Sequence, residues 1–217
     1  MPKPDDPKTR VARESLELLR EGNRRFVSDG RGVGGLTDQE RRHELLAGQE
    51  PFAVILGCSD SRVPPEVVFD QGLGDLFVVR VAGNTVAPSQ VGSVEFAVDR
   101  LGPKLVVVLG HSLCGAVSAT LEEIERPTDG LSPNLTSIVD RIRPSVAPLL
   151  EGDGRLDHDA LMKQAVRANI RASVDQLRRE STVLERLIRT RGVLVVAAEY
   201  SQETGVVDFF DGPPETD

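Results

Sequence analysis

A chain of 217 residues, 39% hydrophobic and 28% charged, has the composition of an ordinary globular protein and the length of one large domain. A formal net charge of −8 argues against nucleic acid or an anionic membrane as the main partner, and leaves room for a small anion at a local arginine. No apolar run approaches the roughly 20 residues of a membrane span, and residues 1–13 lack the apolar segment of a secretory signal, so the expected place is a reducing cytoplasm.

Residues 1–9, rich in proline and charge, read as a loosely ordered tail. Leu16, Leu19 and Phe26 set an intermittent apolar face that predicts a helix over 11–28. The Gly-x-Gly pattern within 30–35 follows a helix, not a strand, and so reads as a connector and not a phosphate loop. Thr37 and Glu40 fit a capping box for a helix reaching about Gly48. Residues 52–57 form an apolar run of buried-strand length. Pro64 and Pro65 open a short helix through Phe69, and the turn at 72–75 leads into a strand over 76–81. A helix over 89–101 carries Val94, Ala97, Val98 and Leu101 as its buried stripe, and 104–110 is a second buried strand.

Next comes a helix from about Cys114, expected to turn Ala116, Val117, Ala119 and Leu121 inward. After a break at 126–130, an amphipathic helix over 131–150 is interrupted or bent at Pro144. A long helical stretch over 158–190 has an irregularity at Ser181-Thr182. A strand over 193–198 and one over 206–210 flank the turn Glu203-Thr204-Gly205 as a hairpin, and 211–217 is a loose acidic tail. With no repeat and no interior linker, the expectation is a single α/β domain over 1–217.

The two best strands both end in chemistry. The first leads into Cys58-Ser59-Asp60-Ser61-Arg62, the second into His111-Ser112-Leu113-Cys114-Gly115. In open α/β sheets that edge is where ligands bind. The chain has only 2 Cys and 3 His, and both Cys and one His fall in these clusters. Two thiolates and an imidazole are a zinc ligand set that leaves a fourth position free. His111 and Cys114, three apart, share one face of a starting helix. Either Cys taken singly reads as a small core residue, and a disulfide would need an oxidising compartment; the conjunction with His111 favours metal. Asp60 offers a proton acceptor beside a ligand, and Arg62 can hold it through two hydrogen bonds, whereas an isolated Asp-x-Arg is ordinarily a salt bridge closing a turn. His43 and His158 lie in polar contexts and read as surface residues. Ser59 and Ser61 lack the Gly-x-Ser-x-Gly elbow of a nucleophile.

Cys-x-Asp-x-Arg followed about fifty residues later by His-x-x-Cys resembles the β-class carbonic anhydrases. Val63-Pro64-Pro65-Glu66, the stretch from Asp75 to Asn84 and the stretch from Gly92 to Val98 match as well, and the resemblance runs from about Glu14 to Phe209. It implies a mostly parallel central sheet of four strands plus an antiparallel fifth, flanked by helices, assembled as a homodimer or homotetramer. It implies zinc on Cys58, His111 and Cys114, with Asp60 and Arg62 as a catalytic dyad and Asp60 as fourth ligand in a closed state. The implied reaction is reversible hydration of carbon dioxide to bicarbonate and a proton.

For the substrate pocket, the resemblance implies a hydrogen bond from Gln49 to bicarbonate and an apolar wall of Phe77, Ala82 and Phe96 shared across a subunit interface. It also implies a backbone N–H of Gly115 facing substrate. Phe96 and Ala82 depart from the Tyr and Val of plant-type enzymes. A subgroup builds a second bicarbonate pocket from Trp, Arg and Tyr; Arg80 and Tyr200 match the last two, but Ile55 stands where that Trp would be. A carbon disulfide or carbonyl sulfide hydrolase on the same scaffold would carry the same zinc motif. A non-catalytic zinc-stabilised interaction protein would be expected to lack Asp60 or Arg62.

Overall fold

A computed structural model describes residues 7–30, 39–128, 130–151 and 157–210. Among these described residues, five strands form one sheet: β1 (Ala53–Gly57), β2 (Leu76–Arg80), β3 (Leu105–His111), β4 (Leu194–Tyr200) and β5 (Val207–Phe209). Their order is β2-β1-β3-β4-β5. The first four are parallel, and β5 returns antiparallel to β4. Every residue of β1 and β3 is buried, which is why their sequences are continuously apolar and not alternating.

Among the described residues, eight α-helices clothe the sheet: α1 (Arg10–Val27), α2 (Gln39–Glu44), α3 (Pro65–Val68), α4 (Pro88–Phe96), α5 (Gly115–Glu125), α6 (Pro133–Val146), α7 (His158–Glu180) and α8 (Thr182–Arg191). Alternate strand residues divide between two cores. Val54, Leu56, Val106 and Val108 pack with residues of α4 to α8 on one face. Ile55, Val107 and Leu109 pack with Ala12, Leu16 and Leu19 of α1 and Val68 of α3 on the other.

Several elements differ from expectation. Ala119 is exposed, and Thr120 takes the inward place on α5; its hydroxyl donates to the Ala116 carbonyl at 2.8 Å, so a buried polar side chain is satisfied within the helix. Pro144 does not interrupt α6 where it stands: the α-helix runs on to Val146 and gives way to the 3₁₀ turn Ala147–Leu149. Pro7–Thr9 is not loose: it is a docked 3₁₀ turn with Thr9 buried. A Cβ on Gly192, at φ 68°, would stand 2.1 Å from the Lys8 carbonyl oxygen, so this close approach needs glycine. The expected tails at 1–6 and 211–217, the connector at 31–35 and the cap at Thr37 lie outside the described residues. Ser181 marks the irregularity as expected, capping α8 through Leu184 N–H at 2.9 Å.

Candidate metal centre

β1 and β3 are neighbours with Gly57 opposite Leu109, so Cys58 and His111 emerge at the same sheet edge. The chain then reverses through Leu113, at φ 58°, and returns Cys114 as the residue capping α5. The outcome is a cluster in which the Sγ atoms of Cys58 and Cys114 and a ring nitrogen of His111 lie within 4.8 Å of one another, all three residues buried. His111 Nε2 has no hydrogen-bond partner among the described residues. An orphaned buried nitrogen costs free energy unless something binds it.

The two thiols oppose each other. The Cys114 thiol, then the nearby His111 ring and backbone N–H groups, pull the Cys58 thiol well below its ordinary value against the opposing effect of burial. Cys114 is pushed up by its hydrogen bond to Cys58, by burial and by the charge on Cys58. One thiolate forms easily here and the second does not, unless a cation joins them. Two sulfurs and a lone imidazole nitrogen converging at this range fit zinc.

Around the cluster are groups that its geometry requires. The Gly83 N–H donates to Cys58 Sγ at 3.3 Å. Gly83 has φ 69°, and a Cβ there would lie 2.7 Å from Ile142 Cδ1. α7 braces this turn: Asn169 Nδ2 donates to the Gly83 carbonyl at 2.8 Å and Ser173 Oγ to the Asn84 carbonyl at 3.0 Å. Arg80 donates to the carbonyls of Cys58 at 2.9 Å and Asp60 at 2.6 Å. None of these supports was expected from sequence. A signal existed on α7, where Asn169 and Ser173 interrupt an otherwise apolar buried stripe four residues apart.

Asp60 and Arg62 form the expected fork. Arg62 Nε donates to Oδ1 at 2.9 Å and Nη2 to Oδ2 at 2.7 Å, and the Arg62 backbone N–H adds a third bond at 2.9 Å. These bonds, the Arg62 side chain's first, hold the Asp60 carboxyl well below the usual carboxylate range. Asp60 Oδ2 also lies 3.9 Å from His111 Nε2.

The expected pocket residues divide. Ala82 opens the turn that carries Gly83, and Gly115 follows Cys114 as the first residue of α5. Gln49, Phe77 and Phe96 lie elsewhere. Gln49 precedes β1 and lines a cavity of about 440 Å³ with Arg41, Glu44 and Gly74. Phe77 registers with Val54 near the start of β1, and its ring meets that of Phe96 at 6.3 Å. At roughly 3.3 Å per residue, the start of β1 is about 13 Å from its end, so Phe77 stands toward the other end of the strands from its own chain's cysteines, although it packs on the same core. His43 is exposed, and His158, also exposed, borders a second cavity with Ser112, Leu113 and Arg167.

A family model described as Carbonic anhydrase matches residues 53–207. The chain belongs to the β-class carbonic anhydrases. It is 41% identical over 191 residues to Carbonic anhydrase 2 of Mycobacterium tuberculosis, covering 87% of this chain and 88% of that one. Its fold resembles that of the β-carbonic anhydrase CafA of Aspergillus fumigatus, at a TM-score of 0.71 and 27% identity over 82% of this chain and 83% of that one. A tetrameric β-carbonic anhydrase from Sordaria macrospora is similar at a TM-score of 0.67 and 26% identity, over 78% and 85%. As an enzyme of this family, the protein carries a Cys-His-Cys cluster able to hold a metal ion at its sheet edge. No helix among the described residues is long and apolar enough to cross a membrane.

Proposed function

We propose that this carbonic anhydrase holds one zinc ion per chain on Cys58, His111 and Cys114 and interconverts carbon dioxide and water with bicarbonate and a proton. The observation that carries this reading is the convergence of three buried ligand atoms within 4.8 Å beside a carboxylate fixed by Arg62. When bound, zinc supplies Lewis acidity that brings deprotonation of a water near neutral pH. Asp60, kept ionised by Arg62, is an acceptor only. A water within its reach must donate to it, which turns the water's lone pair away from the carboxylate and toward substrate. Arg62 acts as the positioning cation, and Ala82 and Gly115 border the reacting space. Because Asp60 is engaged by Arg62, the arrangement favours an open fourth position, with Asp60 as a ligand only in an alternative closed state.

We further propose that Gln49, Phe77 and Phe96 wall the site of a neighbouring copy, which their distance from the cysteines of their own chain and the tetrameric Sordaria relative support. The thiols need a reducing compartment such as the cytoplasm. Metal analysis joined to stopped-flow carbon dioxide hydration tests the reading, with sulfide release from carbon disulfide and carbonyl sulfide assayed in parallel. One zinc per chain and fast hydration are expected, and Cys58→Ser and Cys114→Ser should strip the metal. Full zinc occupancy and normal activity in Cys114→Ser would sink the assignment.

A further inference from the structure

Gln202 sits in the turn between β4 and β5, half-buried, and is tied to the end of β3 at two levels. Its backbone N–H donates to Ser112 Oγ at 2.9 Å, while the Ser112 N–H donates to the Tyr200 carbonyl at 2.9 Å. The turn is itself closed by Ser201 N–H to Val206 at 2.9 Å and Gly205 N–H to Ser201 at 2.8 Å. From this anchored position Gln202 Nε2 lies 2.9 Å from His111 Nδ1, and the amide's oxygen and nitrogen exchange places on half a turn. The same nitrogen lies 2.9 Å from the Ser112 carbonyl oxygen.

These two contacts constrain the imidazole. Nε2 is the nitrogen that lies 3.9 Å from Asp60 Oδ2 and has no hydrogen-bond partner among the described residues. For Nε2 to offer a lone pair, a neutral imidazole must carry its hydrogen on Nδ1. An Nδ1–H beside the Ser112 carbonyl is satisfied. An NH₂ group of Gln202 at the same nitrogen would oppose it, donor against donor. Half a turn of the amide puts Oε1 there instead, and both oxygens then accept from Nδ1–H. With the amide the other way, its NH₂ donates into an Nδ1 lone pair, and the hydrogen is forced onto Nε2, where it blocks the metal. The two faces of one amide therefore correspond to the two tautomers.

We propose that Gln202 is a positioning residue for the metal site: through Oε1 it holds His111 in the Nδ1–H tautomer, with the Nε2 lone pair aimed between Cys58 and Cys114. The inference rests on the zinc reading above. Partners of this kind on a metal-bound histidine are worth about 10- to 100-fold in metal affinity. The half-buried turn position makes substitution compatible with folding.

The test is zinc affinity, measured by competition with a chromophoric chelator on the full-length protein, for the unmodified chain, Gln202→Leu and Gln202→Glu. Leu removes the acceptor, and Glu keeps one. Gln202→Leu should bind zinc about 10- to 100-fold more weakly, while Gln202→Glu binds at least as tightly as the unmodified chain. The melting temperatures of the metal-free forms should agree, which separates aiming from folding. Equal affinity in Gln202→Leu, or a Gln202→Glu variant as weak as Gln202→Leu, would overturn the proposal and leave the zinc reading intact. An unmodified chain that binds no zinc would overturn both. Should Gln202→Leu fail to fold, nitrogen-15 NMR of the unmodified metal-free form decides: a neutral ring with its proton on Nδ1 is expected, and a proton on Nε2 would refute it.

Discussion

Arg62 gives Asp60 three hydrogen bonds from one residue, two of them from the guanidinium fork. The sign of the effect is clear: a carboxyl depressed below its ordinary range is ionised at every pH above that range, and the pairing is lost only as pH falls through the lowered value. Activity between pH 6 and 9 therefore does not follow the titration of Asp60. We expect hydration rates to climb across that window with a midpoint roughly between 7 and 8.5, set by the water that zinc acidifies and shifted upward by two thiolates. Asp60→Asn should keep zinc and lose most of the rate. Arg62→Ala should free Asp60 to close the site across the whole range. A flat profile in the unmodified protein, or an Asp60→Asn variant of full speed, would contradict this account. The cysteines make a separate prediction. Cys114 is pushed up in the metal-free cluster, so it holds its proton at neutral pH and must release it to bind zinc. Zinc uptake at pH 7 should therefore liberate at least one proton per chain, and affinity should weaken as pH falls; an indicator dye that registers none would count against the site.

At the scale of elements, what was legible followed from local chemistry. The apolar runs of β1 and β3 announced strands buried on both faces, and the polar residues just beyond them announced the site. Ser181 declared a helix break by its capping side chain. What was illegible depends on which element meets which. Ala119 and Thr120 are one step apart on α5, and only the facing helices decide which of them turns inward. Asn169, Ser173 and Gln202 act on residues about ninety positions away, a relation no spacing rule reports. The Gly83 turn that Asn169 and Ser173 brace is testable. Gly83→Ala places a methyl 2.7 Å from Ile142 Cδ1 at φ 69° and should cost about 1–3 kcal/mol. It should also loosen the N–H contact to Cys58, so the melting temperature and zinc retention should fall together. A variant as stable and as zinc-tight as the unmodified chain would show that the turn tolerates the displacement. Arg80 sets a related expectation. Two of its donors already hold the Cys58 and Asp60 carbonyls, and the neighbouring Ile55 is fully buried in the strand and offers no indole N–H. Kinetics should therefore show no cooperative inhibition by bicarbonate; sigmoidal inhibition would refute this.

At the scale of the whole molecule, the proposed function divides the chain into two half-sites at opposite ends of its strands. Cys58, His111 and Cys114 stand beyond the ends of β1 and β3, and Gln49, Phe77 and Phe96 stand toward their beginnings. Phe96 is 53% exposed, and Leu46 and Leu73, chain neighbours of the Gln49 cavity, are exposed as well. Apolar groups left in water around a cavity are what a second copy would cover. An isologous dimer brings each half-site of one copy against the other half-site of its partner twice over, by symmetry. Light scattering at micromolar concentration should thus show at least a dimer, and an active monomer would contradict the arrangement. Complementation tests it more sharply. Cys58→Ser lacks the metal but keeps Gln49; Gln49→Ala keeps the metal but lacks the hydrogen-bond donor. Each alone should be impaired, the first almost wholly. Mixed and allowed to exchange subunits, half of the dimers become heterodimers, and each heterodimer owns one fully intact site. Activity should then rise to about a quarter of that of the unmodified protein, above what the two variants give separately. If the mixture only averages its components after exchange has been verified, Gln49 serves no neighbouring site.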